Sequence, residues 1–156
     1  MTLALLGIPA CQRQVSKSSK PAHSGSQVLA EAKAVPPFTL TLSSGGGFAG
    51  LYQGCTLTSQ GEVKGWQKRA GAPEAIAWTV QVGQDSIAAL AKDLEVYLGV
   101  ELRDAGNMTT RILFELPDTT HQWSISGSGA STEAPEPFRT WYARAEAYCR
   151  GLAPPP

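Results

Sequence analysis

The sequence predicts an α+β fold, a two-layer sandwich of an antiparallel sheet of about six strands with two helices packed on one face. Three observations carry this. Period-two alternation of apolar and polar residues recurs in short runs divided by Gly, Pro and Asp turn signals. Two longer segments instead repeat apolar residues every three or four positions. Each helix then has one apolar stripe and the sheet one apolar face, so each covers the other.

The first run, Phe38-Thr39-Leu40-Thr41-Leu42, sets apolar residues against hydroxyls. Gly45-Gly46-Gly47 follows, where positive φ carries no steric cost, and marks a turn. Leu51 to Thr58 resumes the alternation, with Leu51, Cys55 and Leu57 on one parity and Tyr52, Thr56 and Thr58 on the other, so the two runs read as a hairpin. Ser59-Gln60-Gly61 turns the chain into Glu62 to Lys68, whose alternation is weaker because Trp66 shares parity with Lys64 and Lys68. Ile76, Trp78, Val80 and Val82 give a fourth strand a buried face. An antiparallel meander is the economical reading.

Asp85 is a suitable N-cap for a helix whose stripe runs Ile87, Leu90, Leu94, Tyr97 and Leu98 before Gly99 closes it. Ile112, Phe114 and Leu116 oppose Arg111 and Glu115 on a fifth strand. Pro117-Asp118 turns it into Gln122 to Ser126, where Trp123 and Ile125 share a face. A last helix opens at Pro137 and aligns Phe138, Trp141, Tyr142, Ala145, Cys149 and Leu152. The order of strands in the sheet does not follow from these patterns.

Near the start, Leu6-Gly7-Ile8-Pro9-Ala10-Cys11 places an aliphatic residue three before a cysteine and a small residue just before it. This resembles the lipobox of bacterial lipoproteins. The resemblance implies that Cys11 is alkylated by diacylglycerol, that the chain is cut before it, and that the new amino terminus is acylated. Each buried CH₂ of such chains contributes ~0.8 kcal/mol, so two or three acyl chains hold where one binds only reversibly. Residues 1–10 hold no Lys or Arg and only a short apolar core, and read as a partial signal peptide. Residues 11–36, rich in Ser, Ala, Lys and Gln, form a lipidated flexible tether. Residues 37–152 are a single globular domain, and 153–156 a Pro-rich tail. Gln12 lacks the Asp that retains enterobacterial lipoproteins at the inner membrane. The expected location is thus the bacterial cell envelope, facing the periplasm at the outer membrane.

An exported protein with three cysteines has one to spare. If Cys11 is lipidated, Cys55 and Cys149 remain, both on the apolar parity of their elements, and are expected to be bonded. The alternative is two buried thiols that never meet.

Thirteen basic residues balance thirteen acidic ones, but four of the basic residues lie before Pro36 with only Glu31 against them. The remainder is weakly acidic, without the clustered basic surface that nucleic acid requires. Nucleophilic catalysis has one candidate base in the domain, His121, with Asp118 three residues ahead and no third partner. A strand-end histidine packed on an aromatic neighbour is the plainer reading, and a small hydrolase using His121 the other. Neither Cys-x-x-Cys nor His-x-x-x-His occurs, and Gly45-Gly46-Gly47 lacks the Lys-Ser/Thr of a phosphate loop. The expectation is a non-enzyme without metal or cofactor.

What remains is a surface for a protein. Phe48, Tyr52 and Trp66 fall at or near the tip and outer face of the first hairpin, where exposed aromatic side chains serve as anchors. The opposite reading covers Trp66 with a loop and tucks Phe48 under the turn. The segment Gly46-Gly47-Phe48-Ala49-Gly50, between two strands, is similar to the Gly-Gly-Phe-Ala-Gly signature near the start of emfourin-type inhibitors of thermolysin-like metallopeptidases, which are small α+β proteins. This chain departs from them in its anchor, its longer region around Gly65 to Gly83 and its two cysteines. The resemblance implies a contact loop and a peptidase partner, and makes inhibition the first expectation. A structural or assembly lipoprotein docking by a sheet edge or hairpin is the second.

Overall fold

The computed structural model describes residues 35–104, 106–127 and 134–155. Six strands and two helices follow in order: β1 (Thr39–Gly46), β2 (Leu51–Thr58), β3 (Glu62–Arg69), β4 (Ala75–Gln81), α1 (Gln84–Leu94), β5 (Met108–Leu116), β6 (Thr119–Ser126) and α2 (Glu136–Leu152). The expected α+β composition is observed, with all six strands in one antiparallel sheet ordered β4-β3-β2-β1-β5-β6. The meander β1 to β4 grows from one side of β1. The hairpin β5–β6 adds to its other side, because α1 and the segment after it carry the chain back across.

Register separates the two faces. Leu42 lies opposite Cys55 and Ile112, and Leu40 opposite Leu57 and Phe114. Val63 extends this apolar row on β3, and Trp123 and Ile125 extend it on β6. These residues form one buried cluster with Ile87, Leu90 and Leu94 of α1 and with Phe138, Trp141, Tyr142, Ala145 and Cys149 of α2. Phe138 sits at the junction, its ring 5.9 Å from Trp123, 5.8 Å from Trp141 and 5.2 Å from Tyr97. Burying two indoles requires partners for their N–H groups. Trp123 donates to the Val100 carbonyl at 2.9 Å and Trp141 to the Leu90 carbonyl at 3.0 Å, the latter joining the helices. Cys55 and Cys149 are bridged, fastening β2 to α2 across 94 residues of chain.

Several local expectations are corrected. Asp85 is not the cap of α1: Gly83 takes that position and Asp85 lies within the first turn, where its charge still complements the helix dipole. That helix stops at Leu94, before Gly99, and Glu95–Tyr97 tightens into a 3-10 turn that keeps Tyr97 and Leu98 against the core. Pro137 is the second residue of α2, which begins at Glu136. On β4 the expected buried face is only half achieved. A register shift at Gly65/Trp66 sets Ile76 opposite Trp66 and leaves it exposed, while Trp78 and Val80 are half-buried. Leu51, on the core parity, is also exposed. Val35, within the stretch expected to be tether, packs against the core. Cys11 and the residues around it lie outside the described residues.

Candidate functional site

The outer face of the sheet is built on hydroxyls and glycines. Thr39, Thr41, Ser43, Thr56 and Thr58 share it with two aromatic side chains, Tyr52 and Trp66. Each of Tyr52, Trp66 and Trp78 stands directly opposite a glycine: Gly45, Gly54 and Gly65 respectively. A Cβ on any of these glycines would overlap the facing ring. The rings therefore lie down over the neighbouring strand, filling space that a glycine leaves empty. Tyr52 and Trp66 do this on the outer face, and Trp78 does so on the core side.

This arrangement decides what Trp66 can offer. It is not an exposed anchor, being 4% exposed, because its ring lies on Gly54. Its Nε1 donates to Thr56 Oγ1 at 3.0 Å, Thr56 Oγ1 is 3.2 Å from Thr41 Oγ1, and the Lys68 ammonium sits 5.2 Å from the ring centroid. Trp66 is thus a floor, with Tyr52 half-buried beside it.

Phe48 behaves in the opposite way. It projects from the turn between β1 and β2 and is fully exposed. The turn beneath it is pinned on both sides. The Gly47 N–H donates to the Asn107 carbonyl at 2.6 Å, the Gly50 N–H to the Gly47 carbonyl at 3.0 Å, and the Ala70 N–H to the Gly50 carbonyl at 2.7 Å. Gly46 and Gly47 have φ of 126° and 68°, and a Cβ on Gly46 would strike the Asn107 carbonyl oxygen. Glycine is required there both by backbone conformation and by close approach. Leu51 and Met108, each opposite Gly46, add exposed apolar surface at the same end of the sheet. The sequence-predicted residues Gly46, Gly47 and Phe48 are therefore gathered in one presented loop. Tyr52 and Trp66 lie on the sheet beside it.

Three cations complete this end and escaped the sequence reading. Lys68, Arg69 and Arg111 border a groove of about 310 Å³ with Tyr52 and Trp66. The domain's acidic balance concealed a local positive cluster. The signal was positional, since Arg111 and Ser43 share one cross-strand row and Tyr52 and Lys68 the next.

Elsewhere among the described residues few chemically active side chains are grouped. His121 stacks on Trp123 with ring centroids 6.1 Å apart. Among the described residues no three His, Cys, Asp or Glu side chains are grouped to hold a metal. A smaller cavity of about 210 Å³ abuts the disulfide and is lined by Tyr142, Glu146 and Arg150. Burial pushes the Tyr142 hydroxyl up to about 12, and the Glu146 carboxylate adds to this against a hydrogen bond with Thr110 and the charge of Arg150. No helix among the described residues is long and apolar enough to cross a membrane.

No protein-family model matches this sequence, and a search of curated proteins found no match either.

Proposed function

We propose that this chain is a non-catalytic protein-binding domain that presents the Gly46–Gly50 loop to its partner, and that it inhibits a secreted or periplasmic peptidase of the thermolysin-like metallopeptidase class. In this reading a lipid on Cys11 holds it at the bacterial cell envelope, facing the periplasm at the outer membrane, where it would meet exported peptidases. The supporting observation is the fully exposed Phe48 on a turn whose backbone is bonded to Asn107 on one side and Ala70 on the other. A large apolar side chain on a rigid loop enters a partner's pocket with little ordering cost. The similarity of Gly46-Gly47-Phe48-Ala49-Gly50 to the emfourin-type signature supports the choice of peptidase. The test is peptide cleavage by a thermolysin-like enzyme with the domain in micromolar excess. Inhibition that is lost in Phe48→Ala is expected, and undiminished cleavage with the wild-type domain counts against the proposal.

A second reading, a structural or assembly lipoprotein, is favoured by β4. This edge strand carries no charged residue from Ala75 to Gln81, whereas the β6 edge is covered by a parallel bridge between Arg103 and Ser124. An uncharged edge is open to an added strand. Crosslinking in intact cells separates the readings: an assembly component is held by one stable neighbour whether or not a peptidase is present. Intact mass of the native protein tests the anchor through acylation at Cys11.

A further inference from the structure

We propose that the groove bordered by Tyr52, Trp66, Lys68, Arg69 and Arg111 binds carboxylate side chains, and that the segment of the partner lying beside the Phe48 pocket is an acidic peptide stretch. This deepens the protein-binding reading and rests on it for the identity of the ligand's carrier, though not for the chemistry of the groove.

The recess follows from the register. Arg111 lies opposite Ser43, Ser43 opposite Gly54, and Gly54 opposite Trp66, so one row crosses four strands. At about 4.8 Å per strand, Arg111 and Trp66 stand roughly 14 Å apart at their Cα atoms. Between them are one hydroxymethyl and one hydrogen. The Trp66 ring lies flat on Gly54, leaving a trough about 310 Å³ in volume with cations on its rim. That volume is large enough for a side chain.

Charge selects the ligand. Lys68 pairs with Glu74 at 3.3 Å, while neither Arg69 nor Arg111 forms an ion pair with any described residue. Arg111, on the groove's own face, is an exposed guanidinium without a carboxylate of its own and is suited to planar, bidentate recognition of one, while Arg69 adds charge at the rim from the row that carries Leu51. Three cations are few for a nucleic-acid backbone, where binding grows with the number of phosphates neutralised. The position of the groove points to a peptide: Arg69 faces Leu51 across β2 and β3, so the cations adjoin the exposed apolar end that carries Phe48. A partner seated on Phe48 would run over them.

The probe is a synthetic pentaglutamate peptide titrated into the ¹⁵N-labelled domain. Expected are saturable shifts of the Trp66 indole N–H and of the Ser43, Lys68 and Arg111 amides, weakening about tenfold between low and physiological salt. Arg69→Glu with Arg111→Glu should abolish them; both positions are exposed, so circular dichroism should be unchanged. Pentalysine should leave the spectrum untouched. Unaltered pentaglutamate binding in the double variant overturns the proposal. So does an absence of shifts at millimolar peptide, or tighter binding to a single-stranded oligonucleotide or to phosphatidylglycerol vesicles. Phe48→Ala should retain pentaglutamate binding. Binding of the peptide without inhibition of any peptidase leaves the groove standing and removes the inhibitor reading; inhibition through Phe48 without peptide binding does the reverse.

Discussion

Replacing Gly54 with alanine adds a single methyl group, and the geometry makes it costly. The new Cβ would overlap the Trp66 ring and crowd the Leu42 carbonyl oxygen. The carbonyl belongs to a sheet ladder and cannot retreat, so the indole must. Moving it forfeits the Trp66–Thr56 hydrogen bond, about 1 kcal/mol. It also uncovers part of an indole now 4% exposed, at about 25 cal/mol per Å², which adds about 1–2 kcal/mol. Alanine returns about 0.4–1 kcal/mol by stiffening the unfolded chain. The net loss is about 2 kcal/mol, which lowers the urea midpoint by about 1 M for an m-value of about 2 kcal/mol/M. Gly151→Ala is the control: nothing lies within 4 Å of its added Cβ, and on α2 it should gain up to about 1 kcal/mol. Equilibrium urea unfolding of the two variants decides the matter. If Gly54→Ala stays within about 0.5 kcal/mol of wild type and the Trp66 indole resonance is unmoved, the reasoning about stacked rings on glycines is refuted.

Other expectations concern separate parts of the fold. Cys55→Ala with Cys149→Ala opens a loop of 94 residues and should cost about 4.7 kcal/mol in the chain-entropy model, read by urea midpoint; a loss under about 1 kcal/mol would contradict it. Phe48→Ala should leave stability within about 0.5 kcal/mol of wild type, since the ring buries nothing in the domain, and a larger loss would show that it does. Tyr142 is raised from 10 to about 12 on folding, so between those values the unfolded chain has released a proton that the native state keeps. Its contribution is therefore intact below pH 10 and lost as pH rises toward 12. Spectrophotometric titration should show one late tyrosine that disappears in Tyr142→Phe, and its ionising with the rest would count against this.

Much of the architecture was written at the level of parity. Leu40 and Leu42, Ile112 and Phe114, and the stripe from Phe138 to Cys149 all lie inside, as their spacing requires. The cysteine pairing was legible for the same reason, because Cys55 and Cys149 both point to the core from elements that cover one another. Strand order was not, since a strand alternates identically whichever neighbour it takes. A covered Trp66 was one of two readings, but with a loop as the cover; its packing on Gly54, twelve positions earlier, becomes visible only once the turn at Ser59 to Gly61 fixes the register. Arg111 and Lys68 are joined by the same kind of information. Their proximity belongs to the sheet and to no segment of the sequence.

The central place of β1 has a consequence for biogenesis. Leu42 pairs with Cys55 on one flank and with Ile112 on the other. A polypeptide delivered amino end first can close the near flank as soon as the meander is out, but the far flank waits for a hairpin that arrives much later. During that delay the strand destined for the middle of the molecule is its border, with Leu40 and Leu42 bare and a row of amides unmatched. A holdase chaperone would find its handle on this nascent chain there, and mutations that slow the arrival of Ile112 would be felt as aggregation before they were felt as instability.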